Sequence, residues 1–419
     1  MPGEVQLTIQ TNRTVFPATG GEQLVYVLIE ALPTSVVVGI QMELNFSLVL
    51  DHSGSMSGAK LDNLREAAKL AIDQMGPQDL ASIVIFDDKA KVIAPSQPVT
   101  DAADLKHHIE NIRDGGGTRI SEGMREGLEE LHKGLGSGRI SRMLLLTDGE
   151  TFGDEDTCRE LATVAGEQSI SIAALGLGEE WNEQLLDDIA QVSGGISDFV
   201  PTGQPDGILS AFERQVRAAQ ATVVQNAEMI LRLVSGVTPR AVWRVTPIIT
   251  KLSHRALSDR DVQVTLGDMD HEQGQSALIE MLIPPLQPGT YRVAQAEVNY
   301  DVVATGLVGE KAKVDVVLHF TDDPAQVTEA HPRVMNVVEK VTAHKLQTRA
   351  LNEVAVGNVA GATQKLRAAA TRLLELGEGE LAQTALDEAQ RLEQGKNLSA
   401  RGTKKLRYET RKLTQKLED

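Results

Sequence analysis

The chain has 419 residues, 3% of them aromatic, and a formal net charge of -18 at pH 7. That length predicts two to three domains rather than one core, and so acidic a surface argues against a general nucleic-acid binder, which needs basic groups to neutralise phosphates. A single cysteine, Cys158, excludes an internal disulfide framework and any zinc site built on several cysteines.

Residues 1–42 hold two strand-like runs, "EVQLTIQ" and "EQLVYVLIEAL". From 43 to 219 strands and helices alternate: "FSLVL", "ASIVIF", "RMLLLT" and "ISIAALGLG" are apolar runs, separated by helical periodicity over 59–75, 101–112, 120–135, 157–168, 183–192 and 206–219. Apolar strands with little alternation are buried on both faces, so this region reads as a doubly wound, Rossmann-like α/β domain. Residues 220–321 return to alternating runs, among them "EMILRLV", "VQVTLG", "SALIEMLI", "GTYRVAQAEVNY" and "KVDVVLHF", the pattern of a β-sandwich with one solvated face per sheet. The first two strands have no local partners, and two strands alone are marginal. They are therefore expected to join the later ones, which makes the α/β domain an insertion in the sandwich.

Residues 322–419 read as a C-terminal helical domain: one long helix within 331–357 and three more, separated by glycine stops. Arg401, Lys404, Lys405, Arg407, Arg411, Lys412 and Lys416 form a basic cluster against the acidic remainder. A solvated face, or one docked on the protein's own acidic surface, explains it more simply than an acidic partner. The opening "MPGEVQLTIQTNR" lacks the pattern of a signal peptide, and no apolar run approaches the ~18 residues of a membrane span. The expected location is cytoplasmic, with no membrane partner.

The stretch "LNFSLVLDHSGSMSG" ends an apolar strand in one acid and two hydroxyls, Asp51, Ser53 and Ser55. In a doubly wound sheet ligands bind at the carboxyl ends of strands, so these oxygens leave the sheet at its binding edge. Neutral hydroxyls with few carboxylates suit Mg²⁺ better than Zn²⁺ or Ca²⁺. Helix capping by a serine or aspartate is the plain alternative. Thr118 follows three glycines at a helix start and Asp148 ends an apolar strand in "LLLTDGE"; an ordinary N-cap and a turn are their plain readings. Asp87 and Asp88 follow a strand and could reach the same edge, but a β-turn to "KAKVIA" accounts for them without function; Glu122 and Glu150 read as rim charges or plain solvated acids rather than ligands.

Asp51-x-Ser53-x-Ser55, then Thr118, then Asp148-Gly149, in that order within a doubly wound domain, resembles the metal-ion-dependent adhesion site of von Willebrand factor type A domains. The resemblance covers 45–219. It implies that Ser53 and Ser55 bind Mg²⁺ directly, with Mn²⁺ or Ca²⁺ as substitutes, and that Thr118 joins them directly or through water. Asp51 and Asp148 would lie behind, holding waters and orienting the serines. A Glu or Asp carboxylate of a partner protein would then complete the coordination, with His52 pointing away. The whole order resembles bacterial intracellular proteins in which such a domain interrupts a β-sandwich and helices follow, often as scaffolds beside an ATPase of the AAA class or a kinase and phosphatase pair.

No catalytic constellation competes. The residue two after Asp51 is Ser53, which cannot be the second acid of a phosphoryl-transfer site, and there is no phosphate-binding Gly-x-x-x-x-Gly-Lys loop. "GSMSG" has Met56 where a nucleophile elbow has serine, and Cys158 has no evident histidine partner. The sequence thus predicts a Mg²⁺-dependent interaction scaffold and not an enzyme. Its rivals are a structural module whose metal site is filled from within, or an accessory subunit of an ATPase or signalling system.

Overall fold

The computed structural model describes residues 3–34, 42–136, 138–151, 153–201, 205–258 and 260–416. In chain order, β1 (Val5–Thr11), β2 (Val15–Pro17) and β3 (Gln23–Pro33) precede an α/β run. That run comprises β4 (Leu44–Asp51), α1 (Ala59–Asp73), β5 (Leu80–Phe86), β6 (Ala90–Pro98), α2 (Ala102–Glu110), α3 (Ile120–His132) and β7 (Ile140–Thr147). It continues with α4 (Glu155–Glu167), β8 (Ser171–Leu177), α5 (Glu183–Val192), β9 (Ser197–Val200) and α6 (Pro205–Ala221). Strands β10 (Thr222–Leu233), β11 (Thr238–Thr246), β12 (Thr250–Lys251), β13 (His254–Ala256) and β14 (Asp261–Asp270) follow, then β15 (Gln275–Ile283), β16 (Gly289–Val302) and β17 (Leu307–Thr321). Four helices close the chain: α7 (Pro332–Ala355), α8 (Val359–Glu375), α9 (Gly379–Glu393) and α10 (Ala400–Glu409).

These elements make two compact units, one of Met1–Val36, Ala227–Tyr300 and Gly309–Asp419, the other of Val37–Asn226 and Asp301–Val308. In the second unit the sheet order is β6-β5-β4-β7-β8-β9, all parallel except the edge strand β6. Strands β4, β7 and β8 are buried along their whole length, as their unbroken apolar runs require. The chain leaves β4 for β5 on one side and later returns to β7 on the other, so the crevice past the ends of β4 and β7 is the topological switch point. Helix α3 lies close over these strands because Gly123 and Gly127 face them. A Cβ at Gly123 would stand 2.5 Å from Phe86, and one at Gly127 2.5 Å from Val49. Within this unit β6 and β9 are not among the apolar runs of the sequence: the first is a half-exposed edge and the second only four residues.

In the first unit β1-β3-β15-β11-β12 form one sheet and β13-β14-β10-β16-β17-β2 another. The amino-terminal strands do pair with the later ones: β3 runs antiparallel to β15, with Leu28 opposite Leu278. Arg244 of β11 reaches across to the carbonyl of Leu266 in β14, linking the two sheets. The other face of the first sheet, through Leu28, Trp243, Val245 and Leu278, packs with Val334, Val337 and Val341 of α7 and with apolar residues of α8 to α10. The basic cluster is divided between buried and exposed positions. Lys404 and Arg411 are buried, Lys405 pairs with Glu380 at 3.6 Å, Lys412 with Glu409 at 3.1 Å, and Arg401 is exposed. The side chain of Lys416 lies outside the described residues. Among the described residues no helix is long and apolar enough to cross a membrane.

Candidate metal centre

Asp51 ends β4 with none of its surface exposed. One carboxylate oxygen accepts from the Ser53 amide at 2.8 Å and the other from the Thr147 hydroxyl at 2.6 Å. Burial pushes its carboxyl above the usual range; the hydrogen bonds from Ser53 and Thr147 oppose this, and the nearby Asp148 charge adds to it. Asp148, just past the end of β7 and equally buried, accepts from the Ser55 hydroxyl at 2.6 Å and pairs through its other oxygen with Lys60 of α1. The Ser53 and Ser55 hydroxyls are 3.1 Å apart. Ser53 is buried and Ser55 exposed, so the hydroxyls line a path from the acids to solvent.

Thr118 is brought to the same place. A Cβ built on Gly149 would stand 3.2 Å from the Thr118 hydroxyl and 3.8 Å from that of Ser55, so the glycine leaves room beside both. The structure therefore gathers Asp51, Ser53, Ser55, Thr118 and Asp148 at one strand-end crevice. It also removes the capping readings. Helix α1 is capped by Gly58 and α3 by Arg119, neither with a side-chain bond, and Ser53 makes none at the short 3₁₀ turn Gly54–Met56. The amides of Ile120 and Ser121 are met instead by Thr151 at 3.3 Å and Asp154 at 2.8 Å, two residues that bond each other. The hydroxyls of Ser53, Ser55 and Thr118 thus have no helix to cap.

Several supporting residues are not evident from the sequence. Asp87 accepts from the Gly116 amide at 3.0 Å and Asp88 from that of Gly117 at 3.1 Å, which fixes the three-glycine loop carrying Thr118. Burial raises the Asp87 carboxyl, but the amides of Gly116 and Lys89 and the charge of His52 outweigh it and hold it below its ordinary value. His52 joins the same work: its carbonyl accepts from Gly115 at 2.6 Å and its Nδ1 lies 2.8 Å from the Arg113 carbonyl. Its ring thus lies against the turn at 113–115. The sequence places Asp87 and Asp88 after a strand, within reach of this edge, but their contact with the glycine loop follows only from the sheet order, which sets β5 beside β4. Glu150 is exposed and Glu122 pairs with Arg125 at 2.6 Å.

A family model for the von Willebrand factor type A domain matches residues 45–204. The chain carries a von Willebrand factor type A domain. A second model, the Sll0103-like C-terminal alpha-helical domain, matches 332–416. The Synechocystis protein "Uncharacterized protein sll0103" is 29% identical over 378 residues, 88% of this chain and 87% of that one. Human inter-alpha-trypsin inhibitor heavy chain H4 is 29% identical over 167 residues, 37% of this chain but only 18% of the heavy chain. Among solved structures, a von Willebrand factor type A protein from Catenulispora acidiphila superposes with TM-score 0.76 over 97% of this chain and 96% of its own, at 18% identity. The ArnB paralog VWA2 from Sulfolobus acidocaldarius gives 0.56 over the whole of both chains, at 15% identity. These structural likenesses concern the fold.

Type A domains typically mediate protein–protein interaction and commonly bind a divalent metal at their adhesion site. The residues here suit such an ion. Their donors are hydroxyl and carboxylate oxygens, the set hard cations prefer, and among the described residues no group of three or more His, Cys, Asp or Glu is placed to hold a softer metal. Asp51 and Asp148 are both buried, and among the described residues Lys60 pairs with Asp148 but not with Asp51, so a cation is favoured electrostatically.

Proposed function

We propose that this chain is a protein-binding scaffold whose type A domain holds Mg²⁺ through Ser53, Ser55 and Thr118 and recruits a Glu or Asp carboxylate of a partner protein. The observation that carries the reading is the trio of hydroxyls freed from capping, with the Ser55 hydroxyl backed by the buried carboxylate of Asp148. Asp51 and Asp148 spend their oxygens on Ser53, Thr147, Ser55 and Lys60. They orient the hydroxyls, and the ion, when bound, supplies positive charge for an incoming carboxylate. Mn²⁺ or Ca²⁺ would substitute.

The reading is of a binding module and not an enzyme. Both Asp51 oxygens are engaged, which suits a positioning group and not a nucleophile. Cys158 is buried, and burial with the charges of Asp154 and Glu155 pushes its thiol well up, away from a reactive thiolate. A cytoplasmic setting is part of the proposal.

The test is capture on the immobilised chain in Mg²⁺, in EDTA, and with Ser55→Ala in Mg²⁺, each with and without free glutamate as competitor. Partners held by wild type in Mg²⁺, released by EDTA or glutamate and absent from Ser55→Ala are the expected result. The same partners retained under all conditions would sink the metal-dependent mechanism.

A further inference from the structure

Lys60 stands at a position that its own helix does not favour. It lies in the first turn of α1, whose N-cap is Gly58 with no side-chain bond to the free amides. A helix amino-terminus carries partial positive charge, so a cation there is disfavoured. The carboxylate of Asp148 is what holds the ammonium, through the oxygen that Ser55 does not use. The Asp148 side chain has no exposed surface, whereas Lys60 keeps 33% of its own, so a partly exposed ammonium neutralises a fully buried acid. Among the described residues Asp148 is its one ion-pair partner. The other cations of α1 pair elsewhere, Arg65 with Asp62 and Lys69 with Glu66 and Glu110. Asp51, the second buried acid, is bonded by the neutral Ser53 amide and Thr147 hydroxyl.

An ionised carboxylate taken out of water is strongly unfavourable without a counter-charge, and Lys60 supplies one to Asp148. The Ser55 hydroxyl donates to the other oxygen of the same carboxylate at 2.6 Å. A cation on that hydroxyl and the Lys60 ammonium would therefore share one acid, and like charges so close repel, the more so where water is scarce. A lysine on its flexible stem is free to swing out to solvent when displaced. Given that the hydroxyl trio binds a divalent ion as proposed above, we propose that Lys60 is a tethered counter-ion of the metal centre. Its ammonium neutralises Asp148 while the site is unloaded and competes with the divalent ion for that acid. The metal is then exchangeable and not a fixed part of the fold, and occupancy of the site follows the free Mg²⁺ concentration.

The experiment is Mg²⁺ titration calorimetry of the EDTA-stripped full chain, as wild type, Lys60→Met and Lys60→Arg, with thermal unfolding of each in EDTA and in saturating Mg²⁺. Lys60→Met should bind Mg²⁺ about tenfold tighter than wild type, while Lys60→Arg, which keeps the cation, should bind no tighter. In EDTA Lys60→Met should melt below wild type, because Asp148 has lost its counter-charge, and saturating Mg²⁺ should erase the deficit. Adding Asp148→Asn to Lys60→Met should also recover the melting point in EDTA, since a neutral amide needs no cation. Equal or weaker Mg²⁺ binding by Lys60→Met, with wild type binding normally, would overturn the counter-ion and leave the metal site standing, the lysine then serving only to orient Asp148. Lys60→Met melting with wild type in EDTA would overturn it too, and so would tighter binding by Lys60→Arg. Binding by neither wild type nor Lys60→Met would overturn the metal reading itself, and the competition with it.

Discussion

A Cβ added at Gly115 or Gly117 would run into the carboxylate of Asp87 or Asp88, and one at Gly116 would stand 2.6 Å from Asp88 Oδ2. The three glycines before Thr118 are therefore a steric answer to two acids on the neighbouring strand, and the acids in turn bond the glycine amides. The sequence shows the glycines and the acids but not that they meet, because 26 residues lie between Asp88 and Gly115 and the contact needs β5 beside β4. The five oxygen-bearing residues were legible as a constellation; Thr147 and Lys60, which set Asp51 and Asp148, were not. Asp87→Ala should loosen the loop that carries Thr118 while leaving Ser53 and Ser55 in place. Chemical denaturation should show a loss of about 1 kcal/mol, and titration calorimetry about tenfold weaker Mg²⁺ binding. Unchanged Mg²⁺ affinity would mean that the loop does not position Thr118.

At the scale of elements, the buried parallel strands were legible because burial on both faces forces continuous apolar runs, whereas the edge strands β6 and β9 were hidden by their exposure or brevity. Strand β11 was missed for a different reason: "TPRAVWRVT" mixes two arginines and a proline into a buried strand, since Arg244 serves the sandwich interior while Trp243 faces α7. Trp243 also anchors that helix. Glu280 of β15 accepts from the Trp243 indole at 2.9 Å and from Lys345 at 2.7 Å, and the Lys345 ammonium lies 5.5 Å from the indole ring centre. Glu280→Ala leaves the buried indole N–H without its acceptor and Lys345 without its counter-charge. It should destabilise the chain by about 2 kcal/mol in urea unfolding. Adding Lys345→Met should recover part of the loss, whereas strict additivity would show that the two groups are not coupled.

For the whole molecule, the sandwich was the hardest part to read, since β3 finds β15 only after the α/β domain has been traversed. The alternation of each run was visible, and the lack of local partners for the first strands was the signal that joined them. After β16, the segment Asp301–Val308 belongs again with the α/β unit, where Asp301 accepts from Asn226 at 2.8 Å and Val303 and Ala304 pack on the core. No local pattern announces that return. Stability of the whole chain should also carry the signature of Asp51, whose folded carboxyl is raised. The folded state then holds this proton to higher pH than the unfolded state. The favourable contribution is fully present below the unfolded value of 3.8 and is lost as pH rises through the folded value. In EDTA, wild-type stability relative to Asp51→Asn should fall over that window and level off above it. Saturating Mg²⁺ should reduce the fall, because a bound cation favours the ionised acid. A difference that rises with pH in EDTA would contradict the assignment.

The central claim is that the hydroxyls of Ser53, Ser55 and Thr118, backed by Asp51 and Asp148, hold a divalent cation. Titration calorimetry of the full chain with Mg²⁺ after EDTA stripping tests it most directly, alongside Ser55→Ala and Thr118→Ala. A single saturable site in wild type, lost in Ser55→Ala and weakened at least tenfold in Thr118→Ala, is the predicted result. Equal binding by all three chains, or none by wild type under conditions where it is folded, would contradict it.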